Sequence, residues 1–167
     1  IFFLIGLLAF AEFDKSKIFD RYHWVAQTLW RGSIAMLVAG FIILGANSYA
    51  QDVAIIESEM VVTAKWVAQN VPPDAIIAAH DIGALGYFDN HKLIDLAGLI
   101  SPEIIPFIRD EAKIAVFLNE QSAGYLIAFP EFYPLLSSEL NEVFSTNSVH
   151  TQLLGQQSMV VYLWKIP

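Results

Sequence analysis

Asp81 and Asp95 each close a short apolar run in the stretch AAHDIGALGYFDNHKLIDLAGLISPE, with Gly83, Gly86 and Gly98 close by. Two carboxylates so placed could hold a sugar hydroxyl or a divalent cation, because hard cations prefer oxygen ligands. Ligands of open parallel sheets also gather beyond the carboxyl ends of the strands. The same residues suit turns: Asp81 is placed to cap the IGALGYF segment, and Asp95 to accept backbone donors ahead of Gly98. Turn-making is the preferred reading of both.

The remaining chemistry-bearing residues form no recognisable set. His80 and His91 have no partner at helix-ligand spacing, and no HExxH-type cluster occurs, so both are read as structural and no metal ligand is assigned. Ser101, Ser122, Ser137 and Ser138 lack a nucleophile-elbow context, which leaves hydrolase chemistry unsupported. Gly83-x-x-Gly86 is not a dinucleotide fingerprint, and its glycines are read as packing or turn residues. Tyr125, Phe129, Phe132, Tyr133 and Trp164 could stack on a sugar ring, yet burial in a core accounts for them equally well and is preferred.

The elements that must position these residues follow from periodicity and punctuation. In QDVAIIESEMVVTAKWVAQNV, Val53, Ile56, Met60, Ala64 and Val67 recur at spacings of three and four, an amphipathic helix that stops before Pro72-Pro73. AIIAAH, KLIDLAG and YLIAF read as buried strands, and DIGALGYF as a short helical turn. A helix bearing Ile114, Phe117 and Leu118 is expected after a Ser101 cap, with a break at Pro106, and PEFYPLLSSELNEVF reads as a further helix. The terminal VHTQLLGQQSMVVYLWKI reads as a hairpin turning at Gly155-Gln156-Gln157. The expected class is α/β: a small, mostly parallel sheet with an antiparallel C-terminal edge hairpin and flanking helices over residues 51–167.

Residues 1–50 are of another kind. The whole chain is 56% hydrophobic with 16% charged residues, and this segment carries most of the excess. IFFLIGLLAFAEF (1–13) has one charge, and GSIAMLVAGFIILGANSYA (32–50) has none over a length that spans roughly 30 Å of hydrocarbon as a helix. Both are expected to be transmembrane helices, with Trp24, Trp30 and Tyr49 as interfacial anchors of the second. The first run begins at Ile1 without an initiator Met, a basic n-region or a cleavage site. It is read as the inner part of a longer span, the chain then being the C-terminal fragment of a multi-pass protein.

Charge gives orientation and excludes one class of partner. Lys15, Lys17, Arg21 and Arg31 fall in or beside the loop 14–31, so that loop is expected in the cytoplasm and residues 51–167 outside the cell membrane. The latter segment holds five basic and fourteen acidic residues, a difference of −9, which excludes nucleic acid as a partner and disfavours anionic lipid. Cysteine is absent, so no redox compartment can be read from it.

The stretch AKWVAQNVPPDAIIAAHDIGALGYFDNHKLIDLAGLISPE resembles the region after the last spans of polytopic membrane glycosyltransferases of the GT-C superfold, family 39-like. The match comprises a Trp-containing helix (Trp66), an Asn-x-Pro-Pro turn (Asn70, Pro72, Pro73), a D-x-G-x-x-G-Y motif (Asp81, Gly83, Gly86, Tyr87) and a D-x-x-G-L motif (Asp95, Gly98, Leu99). It covers roughly residues 47–105. The resemblance implies a transferase that moves a sugar from a polyprenyl-phosphate donor to an unknown acceptor at the external face of the bilayer. It implies substrate contact at Asp81, Tyr87 and Asp95 and admits a divalent cation in the parent protein. The acidic catalytic residues of such enzymes lie in an N-terminal external loop absent from this chain, so no residue here inherits a catalytic role. The alternative is a non-catalytic, membrane-anchored module for binding or assembly.

Overall fold

The computed structural model describes residues 23–164 and Gly6. Contacts divide the chain into two units, Ile1–Ala50 and Gln51–Pro167. Apart from Gly6, the expected span 1–13 and most of the loop 14–31 lie outside the described residues. The second expected span falls within α1 (His23–Ile55). The helical stretch Trp24–Asn70 is long and apolar enough to cross a membrane, and the side chains of its most apolar window are not buried. Met36, Phe41 and Leu44 are among those left exposed, as a helix with an apolar surface all round leaves them when only solvent surrounds it.

A π-helical turn (Ile56–Val61) comes after α1 and leads into α2 (Val62–Asn70). Ala64 and Val67 of the expected stripe are buried and Met60 is half-buried, whereas Val53 and Ile56 are exposed. The π-turn accounts for the difference, because each residue added to a helical turn rotates the helix on its N-terminal side by about 100° relative to the helix on its C-terminal side. Glu59, not an apolar residue, is fully buried in this turn.

The α/β unit continues through β1 (Ile76–Ala79), α3 (Gly83–Phe88), β2 (Lys92–Asp95), a 3₁₀ segment (Pro102–Phe107), α4 (Glu111–Glu120) and β3 (Tyr125–Ala128). A 3₁₀ turn (Pro130–Phe132), α5 (Pro134–Glu139), β4 (Asn141–Ser145), α6 (Val149–Leu153) and β5 (Val160–Leu163) complete it. The sheet order is β2-β1-β3-β5-β4. β1 pairs parallel with β2 and β3, while β5 pairs antiparallel with β3 and β4. The sheet is therefore evenly mixed among its described pairings, and β5 is an inner strand rather than part of an edge hairpin.

Why the strand runs are apolar at almost every position is clear from the two faces they cover. Ile77, Ala79, Ile127 and Val161 pack with Ala64 and Val67 of α2 and Leu85 of α3. Ala78, Leu126, Ala128, Val160 and Tyr162, alternating with them, pack with Ile104, with Ile114 and Leu118 of α4, and with Leu136 of α5. A sheet buried on both sides replaces the apolar/polar alternation of a half-exposed strand with a continuous apolar run. Each fully buried Ile or Leu contributes about 1.5–3 kcal/mol relative to exposure.

Three expected elements take another form. Asn141–Ser145, expected as helix, is edge strand β4, with Phe144 turned to stack on Trp66 at a ring distance of 4.6 Å. Val149–Leu153, whose alternating pattern suggests a strand, is helix α6. Gly155, at φ 68°, lies just beyond this helix; Gln156 N–H donates to the Thr151 carbonyl and Gly155 N–H to that of Gln152. The glycine is thus the left-handed residue of a helix C-terminal cap, not a hairpin turn. Finally, Ser101 makes no cap. Asp110 does so instead, its carboxylate accepting from Lys113 N–H at 3.1 Å to start α4.

A candidate site at the carboxyl edge of the parallel strands

The connections leaving β1 and β3 part at this edge. β1 leads to α3 on the face covered by α2, and β3 leads to Tyr133 and α5 on the opposite face. Such a divergence marks the crevice where open α/β sheets receive ligands. Register sets Ala79 beside Asp95, so Asp81 and Asp95 both reach this edge, as their positions in the sequence suggest.

Asp95 is fully buried, and its carboxylate accepts three backbone hydrogen bonds. Oδ1 accepts from Ala97 N–H at 2.9 Å, and Oδ2 from Leu99 N–H at 2.6 Å and Ile100 N–H at 2.9 Å. Its own N–H donates to Ser101 Oγ at 3.0 Å, which gives the buried serine its role. Gly98 completes the loop at φ 80°, and a Cβ there would lie 2.8 Å from Ile105 Cγ1. Gly98→Ala is expected to cost about 1–2 kcal/mol from the left-handed conformation alone, measured by urea unfolding. A neutral result would show that the loop adopts another backbone path.

Asp81 is partly exposed and accepts one bond, from Gly83 N–H at 3.2 Å. This is a local turn at the start of α3. Asp81→Asn keeps the accepting oxygen and is expected to be neutral within about 0.5 kcal/mol, whereas Asp81→Ala should cost about 0.5–1.5 kcal/mol. Equal losses for both, read from urea midpoints, would point to a need for charge. Tyr87 is 82% exposed and packs edge-on against Phe88 at 4.8 Å. Among the described residues, no hydrogen bond joins Asp81, Tyr87 and Asp95, so each holds its own loop or surface.

His80 and Tyr133 meet at this edge. His80 Nδ1 lies 2.9 Å from the Tyr133 hydroxyl, and its ring packs 4.7 Å from that of Phe132. Burial, with the nearby charges of Asp95 and Glu111 adding to it, raises the Tyr133 hydroxyl well above the ordinary phenol value. Tyr133 therefore keeps its proton at neutral pH and can donate it to His80 Nδ1. Glu111 Oε2 accepts from Leu135 N–H and Leu136 N–H at 3.0 and 2.8 Å, holding the start of α5. The five aromatic residues divide here: Tyr133 and Trp164 are buried, Tyr125 and Phe129 half-buried, and Phe132 is partly open at the edge.

His91 stands just ahead of β2, at the opposite edge of the sheet. Its Nε2 donates to the Pro72 carbonyl at 2.8 Å, and its Nδ1 faces both Asp89 oxygens at 2.6 and 2.7 Å. It ties the Pro72-Pro73 turn to the start of β2, beside a cleft of about 200 Å³. No group of three or more His, Cys, Asp or Glu side chains able to hold a metal occurs among the described residues.

Sequence reasoning missed Glu59. Thr146 Oγ1 donates to its Oε2, Thr151 Oγ1 to its Oε1, and Met159 N–H to Oε2 at 2.7 Å. These donors sit 87 to 100 residues away, and a single acid in an amphipathic helix carries no signal that it turns inward. The burial of Glu59 ties the π-turn to the loops on either side of α6.

Residues 45–162 match the family described as Domain of unknown function (DUF8728). The chain belongs to this family. The DUF8728 segment takes in the last part of α1, the Glu59 turn, β1 to β4 and all but the last residue of β5. No curated protein and no solved structure matches the chain.

Proposed function

We propose that this DUF8728 chain is the C-terminal, non-catalytic part of an integral membrane glycosyltransferase that uses a polyprenyl-phosphate sugar. In this reading the α/β unit stands outside the cell membrane and frames the entrance for donor or acceptor. One observation carries it: a helix with an uncovered apolar surface is joined in sequence to an α/β unit whose two Asp-Gly motifs build loops at the ligand-receiving edge. The D-x-G-x-x-G-Y and D-x-x-G-L resemblance supplies the substrate class, with contact at Asp81, Tyr87 and Asp95 and a divalent cation in the parent as its corollaries.

The backbone bonds held by the buried Asp95 and the engagement of His80 Nδ1 with Tyr133 favour a framing role over chemistry, and they equally suit a membrane-anchored binding or assembly module. Transfer of labelled sugar from polyprenyl phosphate, measured in membranes holding the full-length parent, separates the two. Loss of transfer when residues 51–167 are deleted is the expected result. A full-length parent inert toward every polyprenyl-phosphate sugar would leave the module. Orientation is tested separately: Gln121→Cys should react with an impermeant thiol reagent in intact cells, and Ser16→Cys should not.

A further inference from the structure

The carboxyl ends of β1, β2, β3 and β4 lie at one edge of the sheet, because β4 runs antiparallel to β5 and β5 antiparallel to β3. The chain enters the α/β unit at this same edge. Glu59 of the π-turn is bonded to Thr146 and Thr151, in the connection that leaves β4, and to Met159 just ahead of β5. Two connections at this edge, those after β2 and after β4, expose large apolar side chains: Leu99 is 82% exposed, Leu153 79%, Val149 68% and Ile100 60%, while Asp81 after β1 and Glu131 after β3 are carboxylates open to solvent beside them. Residues 96–100 carry no charge, and residues 146–158 hold His150 as their sole titratable side chain. At the opposite edge, the turns carry exposed Asp74, Glu120 and Glu139.

We propose that this edge docks on the bilayer, with Leu99, Ile100, Val149 and Leu153 dipping into the boundary between headgroups and acyl chains. The proposal rests on the reading of α1 as a membrane anchor. A tether that enters at this edge keeps it at high effective concentration near the lipid surface, so single apolar side chains suffice where a free domain would need a large patch. The lipid is zwitterionic rather than anionic: the segment 51–167 has fourteen acidic residues against five basic ones, and the docking loops offer no lysine or arginine to an anionic headgroup. In this orientation Asp74, Glu120 and Glu139 at the far edge remain in water, and Asp81 and Glu131 lie on the neighbouring β1 and β3 connections, outside the two uncharged loops that dock.

The absence of cysteine permits a direct test on the full chain. Leu99→Cys, Leu153→Cys, Gln121→Cys and Phe41→Cys, each carrying an environment-sensitive fluorophore, are reconstituted in phosphatidylcholine nanodiscs with nitroxide-labelled phosphatidylcholine. Lipid nitroxide should quench the labels at 99 and 153 several-fold more than the label at 121, and aqueous iodide should show the reverse order. Quenching at 41 by lipid alone establishes the anchor. Lack of it there defeats the anchoring reading, and with it the proposal. Lipid quenching at 41 combined with iodide quenching at 99 and 153 overturns the docking alone. Labels at 99 and 153 that neither quencher reaches would mean a protein surface or a second copy covers the edge, which also overturns it.

Discussion

Glu59→Ala is expected to destabilise the α/β unit by about 3–5 kcal/mol, a large part of the roughly 5–15 kcal/mol that holds a typical domain. The substitution leaves the buried Thr151 hydroxyl and Met159 N–H, and the half-buried Thr146 hydroxyl, without their acceptor. A buried donor without an acceptor costs about 1–3 kcal/mol, and three share this one carboxylate. Glu59→Gln should fall between: its carbonyl oxygen can keep the Met159 bond and a rotated hydroxyl can accept from its amide, so about 1–2 kcal/mol is lost. Glu59→Leu combined with Thr146→Val and Thr151→Val should recover part of the loss, because removing the two hydroxyl partners removes two of the unpaired donors. Urea unfolding monitored by tryptophan fluorescence reads the series, with Trp66 and Trp164 reporting from within the unit. An alanine variant within about 1 kcal/mol of the parent would mean that water or a rearranged turn replaces the carboxylate.

The contrast between Glu59 and the strands shows what a sequence can and cannot display. β1, β2 and β3 are legible because each is a run of apolar residues bounded by Gly, Pro or Asn, and because helical segments separate them. The Asp95 loop is legible too, since an aspartate ahead of Gly98 announces local backbone bonding. β4 and α6 are not. VHTQL alternates like a strand, yet the Thr151 bond to Glu59 and the cap at Gly155 stabilise a short helix. NEVFS reads on from the helix before it, yet β5 needs a partner on its open side and Phe144 finds Trp66. In each case a contact distant in sequence overrides a weak local preference. Glu59 belongs with these, because its role is defined wholly by residues in the last quarter of the chain.

Asp95 decides whether the resemblance extends from loop shape to ligand contact. Its burial changes the expectation for a conservative replacement: Asp95→Asn, unlike Asp81→Asn, should cost about 2–3 kcal/mol, and Asp95→Ala about 3–5 kcal/mol. An asparagine offers one carbonyl oxygen where three N–H groups converge. If that oxygen keeps Leu99 and Ile100, its amide points a donor at Ala97 N–H; if it keeps Ala97, two donors lose their acceptor. Loss of the loop would also release Gly98 and the Ser101 contact, so the damage should spread through residues 96–105, where amide exchange should rise first. Transfer in the full-length parent then separates architecture from recognition. With Asp95 as a loop-former alone, activity per folded molecule in the Asn variant stays near that of the parent, because its carboxylate is buried against three backbone N–H groups of its own loop. A drop of more than about tenfold per folded molecule, equivalent to about 1.4 kcal/mol in the transition state, would require the loop to open and present its carboxylate to substrate.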